Sequence, residues 1–119
     1  MYAILRGDIH MSTGKAMAQV GHAFTEPLLT GDPQSDRHLQ YKAERPGTKV
    51  VLLANDEVDL HRALRILEKI DIPHALVYDQ GHVHPPDFDG GTPVLTALGF
   101  GPARREEVRQ VTKYFAPVP

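Results

Sequence analysis

The chain has 119 residues, of which 41% are apolar and 24% charged, proportions typical of a folded domain rather than a disordered or collagen-like chain. This length predicts a single domain over residues 1–119. A formal net charge of −2 argues against a protein that coats nucleic acid indiscriminately, because such proteins carry a strong basic excess. Cysteine is absent, which excludes a disulfide framework and a thiolate zinc site.

The N-terminal segment carries a short apolar run that ends before Arg6 and Asp8. This run is shorter than the core of a secretory signal peptide or a membrane span. We therefore expect a cytoplasmic protein.

Four short apolar runs, each bounded by Gly, Pro, Asn or Asp, predict buried strands. They are Tyr2–Arg6, Lys49–Ala54, His74–Tyr78 and Val94–Gly99. Strands and helices alternate early in the chain, and the last two strands lie close together. This order predicts a mixed sheet with helices on both faces.

Three amphipathic helices are predicted between and after these strands. The first is capped by Ser12 or Thr13 and continues until Pro27, the second is capped by Asn55 and ends at Asp71 and Pro73, and Pro102 opens the third. A short helix can form around Ser35–Ala43 within the polar stretch Thr30–Gly47. The tail Ala116–Pro119 should fray.

The start of the first helix is a candidate ligand site. Ligands collect at the carboxyl ends of strands in such sheets, where helix N–H groups favour an anion. Lys15 opposes the helix dipole in this turn, and helical spacing places Lys15, Gln19 and His22 on one polar stripe. The alternative is an ordinary solvated face. A Walker-type phosphate loop is excluded, because Lys15 is followed by Ala16 rather than by Ser or Thr.

The loop Asp79–Thr92 is a second candidate. A carboxylate at the end of an apolar strand suits acid–base chemistry, although Asp79 could equally serve as a turn residue before Gln80 and Gly81. Imidazole and carboxylate groups in this loop could in principle bind a divalent metal. The residues are His82, His84, Asp87 and Asp89. A His-x-His pair in a Pro- and Gly-rich loop is more often exposed, so no metal is expected.

Residues Leu5–Ala23, LRGDIHMSTGKAMAQVGHA, resemble the opening signature of type II peptidyl-tRNA hydrolases, R-x-D-L-K-M-G-K-G-K-x-A-A-Q-x-x-H-A. The matches stand in unbroken register at Arg6, Asp8, Met11, Gly14, Lys15, Ala18, Gln19, His22 and Ala23. The resemblance resumes at the Lys49–Ala54 strand, at Asp79 with Gly81, at Gly91-Thr92, and at Gly99 and Pro102. It therefore covers nearly the whole chain.

The resemblance implies an α/β fold, a three-layer αβα sandwich with a four-stranded mixed sheet. It implies hydrolysis of the ester of peptidyl-tRNA without a cofactor, and frequently a homodimer. Residues matching Lys15, Gln19 and Asp79 are implicated in activity in the family. We further expect three residues to contact the substrate, namely His22, His82 and Thr92.

The second family signature, D-A-G-R-T-Q-I-x-P-G-T-x-T-V-L-x-I-G, is matched with departures. His82 replaces its arginine, and the two of its threonines that are implicated in activity in the family fall on Val83 and, across an insertion, on Val94. Neither valine can form a side-chain hydrogen bond. Two alternatives therefore remain beside the esterase: a catalytically impaired relative acting as an RNA-binding or regulatory protein, and a hydrolase with an altered substrate.

Overall fold

The apolar N-terminal run forms the central strand of a mixed sheet, as seen in a computed structural model that describes residues 1–80, 83–89 and 91–119. Strand β1 (Tyr2–Arg6) pairs in parallel with β2 (Val50–Ala54) and antiparallel with the later strand β6 (Val94–Phe100). Strand β3 (His74–Asp79) pairs antiparallel with β6, so β3 runs in the direction of β1. All four predicted strands are confirmed, with ends that differ by at most one residue.

The main sheet has five strands rather than the expected four, in the order β3-β6-β1-β2-β7. The fifth, β7 (Ala116–Pro117), comes from the tail that was expected to fray, and that prediction is wrong. Leu53 pairs with Ala116, and the Val118 N–H donates to the Val51 carbonyl at 3.1 Å. The open edge of β2 supplies hydrogen-bonding groups to the tail, which sequence periodicity does not reveal. Two short strands, β4 (Val83–His84) and β5 (Phe88–Asp89), pair within the loop after β3.

Helices cover both faces of the sheet, which agrees with the expected three layers. Successive side chains of β1 alternate between the faces. Ala3 and Leu5 pack with Ala23 of helix α1 (Thr13–Thr30) on one face. Ile4 packs on the other face with α3 (Glu57–Ile70) and α4 (Arg105–Thr112). The helix α2 (Asp36–Ala43), capped by Ser35, confirms the short helix predicted between β1 and β2.

Helix α1 begins as predicted, with the Ser12 hydroxyl accepting from the Lys15 N–H at 3.2 Å, but it does not end at Pro27. A proline nitrogen cannot donate to the carbonyl four residues earlier, here that of Ala23. That carbonyl instead lies against Gly99 of β6, where a Cβ atom would come within 1.7 Å of the Ala23 oxygen. Because Gly99 has no side chain, α1 packs closely on β6, and this tertiary contact accommodates the proline.

The caps of the other two helices also differ from the prediction. Helix α3 is capped by Asp56 rather than Asn55, since the Asp56 carboxylate accepts from the Asp59 N–H at 2.9 Å. Its predicted end at Asp71 is confirmed. Helix α4 begins at Arg105, after Pro102, and the Glu107 carboxylate accepts from the Arg104 N–H at 2.8 Å. Local sequence therefore located each helix, whereas side-chain geometry selected the capping residue.

A bidentate ion pair ties α2 to α4. Arg37 donates to both carboxylate oxygens of Glu107, at 3.0 and 2.9 Å, and to the Pro102 carbonyl at 2.8 Å. The hydrogen bonds from Arg37, followed by that from the Arg104 backbone, lower the pKa of Glu107 below its ordinary value. Because this pKa is lower in the folded than in the unfolded state, the ionised Glu107 carboxylate stabilises the folded protein at pH values above its unfolded-state pKa. This stabilisation is lost as pH falls through the folded-state pKa.

We expect Arg37→Met to lower the free energy of unfolding by about 1 kcal/mol at neutral pH, because the pair is partly exposed. The difference from the parent protein should shrink as pH falls through the lowered pKa of Glu107, because the carboxylate is then protonated and loses its ion pair with Arg37. Urea unfolding at several pH values measures the difference in free energy of unfolding between the variant and the parent protein. Arg65→Met, at an exposed position of α3, is the matched control and should show little change. A loss for Arg37→Met that does not vary with pH would contradict the expectation.

Within the described residues, no helix has the combination of length and apolar character that crossing a membrane requires.

Candidate active site

The carboxyl ends of β1 and β3 lie at the same edge of the sheet, because these strands run in the same direction. Asp79 ends β3, and Lys15 lies in the first turn of α1, which follows β1. Lys15 Nζ is 2.8 Å from Asp79 Oδ2, and the two side chains are only 11% and 15% exposed. Asp79 thus supplies a negative charge beside the lysine in this turn, where the helix dipole is unfavourable to a cation.

Gln19 joins the same cluster one turn further along α1. Its Nε2 donates to Asp79 Oδ1 at 3.3 Å, and its side chain is buried, with 5% exposed. The interpretation of Lys15 and Gln19 as ordinary solvated residues is therefore wrong. The Asp79 carboxylate is held between an ammonium group and an amide, so it is more than a turn residue.

Thr96 completes the cluster, and sequence reasoning missed it. Its hydroxyl donates to Gln19 Oε1 at 3.0 Å and lies 3.2 Å from the Val77 carbonyl, which shares the proton. Strand alternation does not predict this position, because a β-bulge interrupts the pairing of β3 with β6. A polar residue within an otherwise apolar strand was the available signal, since buried hydroxyls need a partner.

Arg6 anchors the same edge from β1. Its guanidinium forms a fork with Asp8, with N–O distances of 2.9 and 2.8 Å, and donates to the Leu95 carbonyl at 3.1 Å. The hydrogen bond from Arg6 lowers the pKa of Asp8, so this pair remains ionised at neutral pH. Arg6 thus fixes the start of β6 next to Thr96. The His10 N–H, which donates to Asp87 Oδ2 at 2.9 Å, ties the β1–α1 connection to the loop after β3.

Of the other candidate residues, His22 and Thr92 lie in the described part of the chain. His22 is exposed on α1, so the predicted stripe divides, with Lys15 and Gln19 on the Asp79 side. Thr92 is exposed just before β6, and the prediction for His82 lies outside the described residues. Val94 pairs with Asp79 across the two strands.

Among the described residues, no group of His, Asp and Glu could hold a metal ion.

This arrangement can move a proton and stabilise negative charge. A fixed carboxylate can accept a proton from water, while an ammonium and an amide offer N–H donors to an oxyanion. The molecule is therefore an α/β protein in which a carboxylate, an ammonium and an amide meet at the carboxyl ends of β1 and β3, a candidate acid–base site.

Comparison with known proteins identifies the family. The model of the family described as Peptidyl-tRNA hydrolase PTH2 matches residues 1–118. A peptidyl-tRNA hydrolase of Pyrobaculum aerophilum is 38% identical over 114 residues, covering 94% of this chain and 91% of that protein. One of Methanocaldococcus jannaschii is 30% identical, covering 94% and 93%. The chain belongs to the PTH2 peptidyl-tRNA hydrolase family, which confirms the resemblance seen in its sequence.

Proposed function

We propose that this protein hydrolyses the ester bond of peptidyl-tRNA, releasing the peptide and free tRNA. The observation that carries the proposal is the contact of Asp79 with both Lys15 and Gln19 at one edge of the sheet. Family membership supplies the substrate class, since the relatives bear the name of this reaction.

In the proposed reaction Asp79 acts as the general base. It takes a proton from water as the water oxygen bonds to the ester carbonyl carbon. Collapse of the tetrahedral intermediate breaks the bond to the ribose oxygen, which takes the proton back from Asp79. Positioned proton transfer of this kind contributes about a hundredfold or more to a rate.

Lys15 and Gln19 stabilise the charge that develops on the carbonyl oxygen. An ammonium has three N–H donors, so Lys15 can retain Asp79 with one and offer another to the oxyanion. Burial strengthens this interaction, because little water competes at a site as enclosed as this one. Val83 and Val94 contribute no hydroxyl, so the proposed chemistry depends on Asp79, Lys15 and Gln19.

We infer that residues 1–119 act as one domain, without a metal or other cofactor, in the cytoplasm, where translation takes place. His22 and Thr92 are exposed, which suits contact with tRNA. We propose the same role for His82. A homodimer is proposed from the family resemblance and from exposed apolar side chains such as Leu29 and Leu39. Sedimentation equilibrium would test the dimer.

Purified protein incubated with an N-acetylaminoacyl-tRNA tests the function directly. We expect release of the acyl group, unaffected by a metal chelator, and a KM that rises with salt because phosphate contacts release counterions. Aminoacyl-tRNA with a free α-amino group is the substrate control. Binding of the tRNA without hydrolysis would contradict the proposal and favour an RNA-binding relative, which the valines at positions 83 and 94 would then explain.

A further inference from the structure

We propose that Thr96 is a positioning residue that holds the Gln19 amide in its active orientation. The effect of Thr96 on the rate depends on the function proposed above, whereas its effect on the amide does not. The inference rests on a continuous hydrogen-bonded path from Thr96 through Gln19 to Asp79.

A glutamine side chain has an accepting end and a donating end, and the two can exchange by rotation of the amide. An ionised carboxylate only accepts, so Asp79 requires the Gln19 NH₂ group on its side. Thr96 presents a hydroxyl proton on the other side, 3.0 Å from Gln19 Oε1. The two neighbours therefore select the same orientation of the amide.

The opposite orientation is unfavourable for an electrostatic reason. It would turn Gln19 Oε1 towards Asp79 Oδ1, which lies 3.3 Å from the amide nitrogen, and two acceptor oxygens would then face one another. Thr96 could still donate to the Val77 carbonyl in that state. Removing the Thr96 hydroxyl would leave Gln19 Oε1 buried without this donor, and the preference for the active orientation would weaken.

The β-bulge explains why Thr96 can reach Gln19. Val77 pairs with Ala97, whereas Tyr78 pairs with Leu95, so Thr96 is an extra residue on β6. Leu95 packs with the α3 face of the sheet, and Ala97 packs with the α1 face. The bulge thus allows Thr96 to share the α1 face with Ala97.

The test compares Thr96→Val, which removes the hydroxyl at nearly constant volume, with Thr96→Ser, which retains it. We expect Thr96→Val to lower kcat about tenfold, the change that loss of one hydrogen bond produces. KM should change less than about twofold. Thr96→Ser should recover kcat to within about threefold of the parent. Melting temperatures of the variants identify any loss of kcat that results from partial unfolding. Unchanged kcat in Thr96→Val, or equal losses of kcat in both variants, would overturn the proposal.

Nuclear magnetic resonance of the Gln19 side-chain NH₂ group tests the amide without reference to hydrolysis. Gln19→Glu assigns the signal. We expect this signal to shift or split in Thr96→Val. In Thr96→Ser it should have the chemical shift of the parent protein. If the parent protein proves inactive, the proposed function fails and this signal alone decides: a change that serine reverses supports the positioning role, and an unchanged signal in Thr96→Val overturns it.

Discussion

Asp79→Asn should lower kcat for peptidyl-tRNA hydrolysis about a hundredfold or more, because asparagine cannot take a proton from water. The substitution retains the volume of the side chain and an oxygen that can accept from Gln19. It removes the counterion of Lys15, which is only 11% exposed, and the free energy of unfolding should therefore fall. We expect that loss to be about 1 to 3 kcal/mol, less than for a fully buried pair. Single-turnover rates and urea unfolding measure the two effects.

Glu107→Gln is the matched control for Asp79→Asn. It also neutralises an ion-paired carboxylate, here that of Arg37, but α4 follows the carboxyl end of β6, at the opposite edge of the sheet. We expect the control to lose stability and to retain kcat within about twofold, as surface changes away from a site usually do. Near-parental kcat in Asp79→Asn would remove Asp79 from the mechanism.

Lys15→Met should also lower kcat about a hundredfold, since loss of one well-placed donor to an oxyanion commonly has this effect. The loss of stability should be smaller than for Asp79→Asn. The ion pair disappears, but so does the unfavourable interaction of a cation with the helix N-terminus. Lys69→Met, at an exposed position in the last turn of α3, is the control and should leave kcat unchanged.

The double variant of Lys15→Met and Asp79→Asn distinguishes one cooperative site from two independent contributions. The effects of substituting groups that act as a unit are not additive. We therefore expect kcat of the double variant to be only slightly lower than kcat of the more impaired single variant. The contact of 2.8 Å between the two side chains supports this expectation. Losses that multiply would indicate that Lys15 and Asp79 act in separate steps.

The expected losses of stability depend on a contact between Lys15 and Asp79 that the sequence does not show. Lys15 opposes a helix dipole and Asp79 ends a strand, and these local positions alone indicate little contribution of either residue to folding. Their ion pair is largely buried and joins α1 to β3. Stability and rate should therefore both change on substitution, and only the matched controls separate the two.

The sequence by itself determined the strands, the approximate helices and the family. Short apolar runs and amphipathic spacing are local properties, and the chain follows them at β1, β2, β3 and β6. Lys15, Gln19 and Asp79 were also candidates from the sequence, because Lys15 and Gln19 stand in an unbroken signature and Asp79 follows an apolar strand.

Only the tertiary structure decided which of these residues meet. Parallel β1 and β3 place Lys15 beside Asp79, and packing of α1 on the sheet buries Gln19, whereas His22 is exposed. Thr96 reaches the site through a bulge that breaks the alternation on which sequence interpretation depends. The helix passes Pro27 and the tail forms β7 for the same reason: hydrogen-bonding and packing partners distant in sequence outweigh local preference.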